Sequence, residues 1–332
     1  MTRSLCTVDE AAARIEAGEA LLIAGDESLL SRLPEGRWIG GTIPYFMTDS
    51  GGRTTRELLH VDALPSEVED VAIRRYTADD LDLIAGDAFD NGFSVIIVPS
   101  GSVVQTSFAV GAVDRRDAFP GPLIGWVAGV HLDDYGHVRP KTFAGSGASA
   151  SPAVAVVMHA RLADGVHATA ETVTLFSQGG GPALRFEHTG FEQDTVLVDG
   201  EPRDFAAYLA ELGHDTRLPL VADLGGASVN VSIQNSPAAS GMVQLYAPVF
   251  SGVEYRLACP LGDYREAFEA ALPVGAADPA FAFNCVLNYT YSNLEGRKVG
   301  DIVGPATFGE IAYQLHNQTL VYLTLHARDH GC

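Results

Sequence analysis

Lysine is almost missing from this sequence, which has Lys141 and Lys298 alone. Its 21 basic side chains face 42 acidic ones, for a formal charge of −21. A chain that acidic repels phosphate backbones and anionic head groups, which argues against nucleic-acid and membrane-surface partners. Cysteine is scarce too: Cys6, Cys259, Cys285 and Cys332 stand far apart with no C-x-x-C pair. That spacing offers neither a zinc knuckle nor a redox dithiol and fits a reducing cytoplasm. No apolar run approaches the ~18 residues of a membrane span. Asp9, Glu10, Glu16 and Glu19 break up the N-terminus where a signal peptide would need an unbroken apolar stretch. Also missing are a G-x-S-x-G elbow, a G-x-x-x-x-G-K-[ST] loop, a G-x-G-x-x-G fingerprint and an H-E-x-x-H pair. Nucleotide hydrolysis, dinucleotide redox chemistry and common serine hydrolysis lose their usual local signatures.

What is present is core material. Apolar residues make up 47% of the 332 and charged ones 19%, so disorder is excluded and roughly two domains are expected. The abundance of Gly, Ala and Val fits a bacterial protein from a GC-rich genome. Val8–Gly18 reads as a helix capped by Asp9, and Thr77–Phe89 as a second with Thr77 as cap. Ala20–Ala24, Trp38–Met47 and Phe93–Val98 read as buried strands. From about residue 123 onward, apolar runs alternate with Gly, Asp and Ser clusters, which predicts a mostly antiparallel sheet. Asp133–Gly136 has the residues of a hairpin turn. Phe205–Leu212 and Tyr264–Leu272 read as helices, Ala280–Leu287 and Leu320–Leu325 as late strands. The elements mix without regular alternation, so the expected class is α+β with mixed, largely antiparallel sheets flanked by helices. An apolar run followed by Gly40–Phe46 is echoed by another followed by Gly304–Glu310.

Three clusters hold reactive side chains. His131, Asp133 and His137 offer metal-ligand types at close spacing, and a solvated turn accounts for the same residues. His326, Asp329, His330 and Cys332 crowd the C-terminus, where chains fray. In Gly304–Leu325, Gly309 allows a sharp turn that carries Glu310 inward among Phe308, Ile311 and Ala312. A carboxylate so placed needs a partner, and a ligand amine would serve, with His316 and Asn317 fixing it by hydrogen bonds. Capping of backbone amides in a tight turn is the structural alternative.

The segment GPATFGEIAYQLHNQTLVYLTL resembles the closing motif of FIST-domain proteins, a G-x-x-x-x-G-E-I loop before L-H-N-Q-T-L and a final strand. Phe281–Cys285 resembles that family's strand ending in Cys, and Val198–Pro202 with Tyr208 and Leu212-Gly213 its D-G-x-P segment. Departures lie in GGTIPYF, which lacks the family's Cys or Ser and acid, at Leu287-Asn288, where its Arg is absent, and at Trp126 and Val130. The resemblance implies a cytoplasmic sensory module of two related halves, 1–163 and 164–332, that binds small ligands such as amino acids. With no output domain in the chain, its signal would pass to a separate protein partner. On this reading a pocket between the halves is lined by Gly41, Thr42, Tyr45, Asn284, Cys285, Phe308 and Glu310, and no cofactor is required. Two other readings stay open: a haem or metal sensor using His131, His159, His188 or His316, and an enzyme with Cys285 as nucleophile and Glu310 as acid or base.

Overall fold

A computed structural model describes residues 3–224, 227–236, 241–272 and 279–327; Asp329, His330 and Cys332 lie outside them. Its centre is a pair of six-stranded sheets. One has the order Gln314–His316, Glu310–Ala312, Leu123–Ala128, Gly92–Pro99, Ala155–Leu162, Val68–Tyr76. The other runs Val166–Thr174, Thr319–Ala327, Phe281–Cys285, Gly304–Thr307, Tyr45–Thr48, Gly51–Thr54. A five-stranded sheet built on Leu21–Gly25 and Trp38–Thr42 packs at one side, and two further antiparallel sheets are formed by strands between residues 184 and 257. Trp126 meets Phe283 between the central sheets with ring centroids 4.9 Å apart. Burying rings and branched chains there at about 1.5–3 kcal/mol each is the main force holding the sheets together.

The class is α+β, and most strand pairs are antiparallel. Three parallel pairs stand out: Leu21–Gly25 with Trp38–Thr42, Gly92–Pro99 with Leu123–Ala128, and Phe281–Cys285 with Gly304–Thr307. Each is joined through a helix, namely Glu27–Leu30, Val103–Arg115 and Val286–Tyr291. The echoed segments therefore close equivalent strand–helix–strand units. They also lie side by side, since Gly304 pairs with Met47 and Pro305 with Phe46. Both central sheets take strands from either side of residue 163, so the polypeptide interleaves across that position.

Several local expectations give way. The first helix, Val8–Glu16, is capped by Thr7 rather than Asp9. Thr7 and Glu10 form a reciprocal capping box, which satisfies two backbone donors instead of one. The helix expected over Thr77–Phe89 shrinks to one 3₁₀ turn, Leu81–Leu83. Thr77 Oγ1 bonds Asp80 Oδ2 at 2.6 Å as at a helix start, but Asp79, Asp80, Asp82, Gly86 and Asp87 are weak helix formers and the helix does not propagate. The Asp133–Gly136 turn does not close a hairpin; it lies in the excursion from Ala128 to Thr142. The Ala280–Leu287 strand ends at Cys285, where the chain turns into helix Val286–Tyr291.

Candidate functional site

Residues 304–327 stitch the central sheets together. The chain leaves one sheet after Thr307, crosses at Phe308-Gly309, joins the other along Glu310–Ala312, turns, and returns at Thr319. Glu310 pairs with Trp126 across strands, so its carboxyl points into the space between sheets. It is wholly buried. The two crossing points supply its partners: Thr319 Oγ1 donates to Oε2 at 2.9 Å and Thr307 Oγ1 reaches Oε1 at 3.2 Å. The Cys285 thiol is a further partner.

None of these groups is cationic. Burial therefore dominates and pushes the Glu310 pKa up to about 8, against the lowering by its hydroxyl, amide and thiol hydrogen bonds. At neutral pH the carboxyl is mostly protonated, so it carries little charge to hold an amine. Cys285 is equally sealed. Burial first, and then the neighbouring carboxyl, raise its pKa well above that of an ordinary thiol, although backbone amides of Gln318, Leu287 and Asn288 point at the sulfur. A nucleophile needs thiolate, and this site suppresses it.

Around this pair runs a polar network. Asn284 Oδ1 accepts from Asn288 Nδ2 at 2.9 Å, Tyr264 donates to Asn288, and Asn288 Nδ2 also reaches Thr319 O at 3.1 Å. Gln318 adopts a left-handed backbone (φ 50°), accepts from Ser232 at 2.7 Å and donates to Arg217 O at 2.9 Å. Gly309 does not take a positive φ, contrary to expectation; Tyr313 and Gln318 do. Its small size matters instead, because a Cβ there would sit 2.8 Å from Leu315. His316 Nδ1, Asn317 Oδ1 and Asn230 Oδ1 are buried without a hydrogen bond. Unpaired buried polar atoms cost about 1–3 kcal/mol each, so this turn is not arranged for stability alone.

The residues expected to share one pocket are distributed over three places. Asn284, Cys285, Glu310, His316 and Asn317 belong to the sealed network. Gly41 packs beneath the Trp126 indole, where a Cβ would come 2.6 Å from Ile97 and 3.1 Å from Trp126 Nε1. Tyr45 accepts from Leu132 N at 2.9 Å and stacks on His131. Thr42 opens onto a cavity of about 390 Å³ in the N-terminal half, together with His131, Arg56 and Arg139.

Phe308 opens onto a different cavity, of about 330 Å³. Ser100, Gly101, Gln105, Thr106 and Tyr135 line one side; Phe191, Glu192, Gln234, Gln244, Leu245, Tyr246 and Phe308 line the other. It thus lies between parts of the chain from before and after residue 163. Tyr135 and Phe308 form a tilted ring pair at 5.9 Å, and Tyr135 is hydrogen-bonded to Gln234. Tyr246 is close enough to Cys285 for the sulfur's charge to bear on its hydroxyl, placing the cavity beside the sealed network. Sequence reasoning missed all these residues except Phe308, because they come from segments far apart with no local motif. One signal was present: Ser102 with Gln105 three residues on marks the start of helix Val103–Arg115, whose Ser102 side chain caps Gln105 N at 3.1 Å.

The histidines are mostly committed. His159 is held by Ser94 Oγ at 2.8 Å and Tyr76 Oη at 3.0 Å, and burial lowers its pKa to about 4. Burial likewise lowers that of His316 to about 4. His188 is exposed on a loop. The proposed trio of His131, Asp133 and His137 does not assemble: His131 Nδ1 accepts from Asp133 N at 3.2 Å, and among the described residues no three ligand-type side chains converge. A turn that bonds within itself has no need of a metal to organise it.

With the site in view, the chain can be placed among known families. It belongs to DUF6976, a family of unknown function, whose model matches residues 6–326. The match corrects the FIST resemblance: the whole chain is accounted for by DUF6976 and not by FIST N and FIST C domains. The shared stretches, a glycine turn before an acid and a strand ending in Cys, are short packing patterns that different folds can reuse. No curated protein and no solved structure matches the chain. No helix among the described residues is long and apolar enough to cross a membrane.

Proposed function

We propose that this DUF6976 member is a small-ligand-binding protein, cytoplasmic and sensory in role, whose cavity beside Phe308 takes an amine-bearing molecule such as an amino acid or amine. The carrying observation is the chemistry of the lining. Glu192, an acid, is the one charged side chain among lining residues that are otherwise aromatic, aliphatic, amide, hydroxyl or glycine. Four rings, of Tyr135, Phe191, Tyr246 and Phe308, offer π faces to a cation. Among the described residues Glu192 is held by Gln244 alone, at 3.5 Å, which leaves its carboxylate available at the rim. A volume near 330 Å³ suits a small metabolite. The three described cysteines are free, in keeping with a reducing compartment.

This places the amine's counter-charge at Glu192 rather than at Glu310, which is buried and mostly neutral. The test is a thermal-shift screen of amino acids and amines against the wild type and Glu192→Gln. A ligand at a hundred times Kd should add roughly 2.7 kcal/mol of stability. Glu192→Gln, on an exposed position, should fold normally and weaken the hit about tenfold or more. A panel in which no amine stabilises the protein, or in which Glu192→Gln binds unchanged, would sink the reading.

A further inference from the structure

The second cavity, of about 390 Å³, has the opposite character. It sits at the carboxyl ends of the parallel strands Leu21–Gly25 and Trp38–Thr42, the end of an α/β unit at which ligands are usually bound. Its three carboxylates are all engaged. Asp26 accepts from Ser28 N at 3.0 Å and Ser28 Oγ at 2.7 Å; Glu27 is ion-paired with Lys141; Asp134 is ion-paired with Arg56 at 2.8 Å.

The donors are not all engaged. Arg139 lines the cavity and has no ion-pair or hydrogen-bond partner among the described residues, although the chain carries 42 acids against 21 bases. The Nδ1 of His131 faces Asp133, 3.2 Å from its backbone N and 3.4 Å from Oδ2, which leaves Nε2 as the nitrogen without a partner among the described residues. Thr42 is buried to 4% exposure; its hydroxyl accepts from Lys141 N at 2.9 Å, and its own proton has no acceptor among the described residues. A guanidinium, an imidazole and a hydroxyl border a cavity in which Glu27 and Asp134 are ion-paired and Asp26 is held by the Ser28 donors of its own helix cap. We propose that this cavity binds a small oxyanion, a carboxylate or phosphate group, with Arg139 as its charge partner and His131 and Thr42 as hydrogen-bond donors. The proposal is independent of the amine site, with which it shares no lining residue.

The probes are inorganic phosphate and a series of mono-, di- and tricarboxylates, titrated calorimetrically at fixed ionic strength. At least one should bind saturably, and whether phosphate or carboxylate does so identifies which group the site selects. Arg139→Gln should weaken that binding tenfold or more, as loss of one charge-assisted bond does. Arg75→Gln, which removes an exposed arginine elsewhere, should leave it unchanged. Arg139 is exposed, so its variant keeps the fold. His131→Gln, which retains an N–H donor, should bind better than His131→Leu. The proposal is overturned if no oxyanion binds beyond the effect of chloride, or if Arg139→Gln and Arg75→Gln weaken binding alike.

Discussion

Thr319 Oγ1 stands 2.9 Å from Glu310 Oε2, at the point where the chain re-enters the sheet that it left at Thr307. The bond ties an acid on one sheet to a hydroxyl on the next, and it does so without a cation. A carboxyl held only by neutral partners in a dry interface keeps its proton far above the usual range.

A pH dependence follows from that proton. The pKa of Glu310 is about 8 in the folded chain against 4.5 for the free side chain. Between those values the native state holds a proton that the unfolded state has released, so the contribution of Glu310 to stability is complete below about 4.5 and is lost as pH rises toward 8. The loss totals a few kcal/mol, at about 1.4 per pH unit before relaxation. Glu310→Gln should abolish this decline, leaving the variant relatively more stable at pH 9 than at pH 6. Urea unfolding across that range is the measurement, and parallel curves for the two proteins would exclude the protonated acid.

The acid limb has the opposite sign. His316 and His159 titrate at about 4 in the fold against 6.5 when free. Their contribution is complete above 6.5 and is lost as pH falls toward 4, because the unfolded state takes up protons that the buried rings refuse. The two limbs together place maximum stability near pH 6–7 for the wild type. His316→Gln should remove one of the two histidine contributions; the remaining one is then nearly cancelled by Glu310 between about pH 4.5 and 6.5, so the acid-side curve should flatten there, and the same unfolding series read from pH 7 down to pH 4 would show it. An unchanged slope would mean that His316 is already charged or reaches solvent.

Much of this architecture was legible in the sequence, and the reasons are local. Gly92–Pro99 is apolar but for Ser94 and buried on both faces, so the run FSVIIV announced it. The α+β class followed from irregular alternation of such runs. Glu310 could be singled out because an acid between Phe308 and Ile311 has few places to go but inward. What could not be read was partnership. Thr42 and Phe308 each line a cavity, but different ones, and nothing in their neighbours says which. Glu192 and Tyr246 are separated by more than fifty positions, and only the fold brings them to one wall. The Thr77–Phe89 segment has helical spacing of its apolar residues, but its four aspartates and Gly86 propagate a helix poorly, and only Leu81–Leu83 closes a turn.

Two glycines mark where the central sheets tolerate no side chain. Gly125 lies in a strand paired with Gly92–Pro99, and a Cβ on it would fall 1.8 Å from Ile96 O. At Gly304 the corresponding contact is 2.0 Å, to Ala282 O, across the equivalent parallel pair. Both take a φ near +157° that side chains disfavour. Gly125→Ala and Gly304→Ala should each cost ~3 kcal/mol or more, since backbone must move. Gly180→Ala, with open space around it, should cost less than ~1 kcal/mol. Thermal unfolding of the three variants separates these outcomes, and a stable Gly125→Ala would contradict the packing described.

Thiol chemistry gives a direct reading of the sealed site. Cys259 is part-exposed and accessible to reagent, whereas Cys6 and Cys285 are buried. The Cys285 sulfur is further held in its protonated form by desolvation and by the adjacent Glu310. Alkylation follows the thiolate fraction and access together, so both factors protect Cys285. Among the three described cysteines, iodoacetamide in native buffer should modify Cys259 first, Cys6 slowly, and Cys285 only on the timescale of opening of the fold. Peptide mapping by mass spectrometry orders the three. Glu310→Gln refines the test: removing the carboxyl takes away one cause of the raised thiol pKa but leaves the burial. Cys285 labelling should therefore stay slow in that variant while the pH dependence of stability changes. If Cys285 instead reacted as fast as Cys259 in the folded wild type, a route from solvent to the Glu310 site would exist, and the thiol–acid pair would return as a candidate for chemistry.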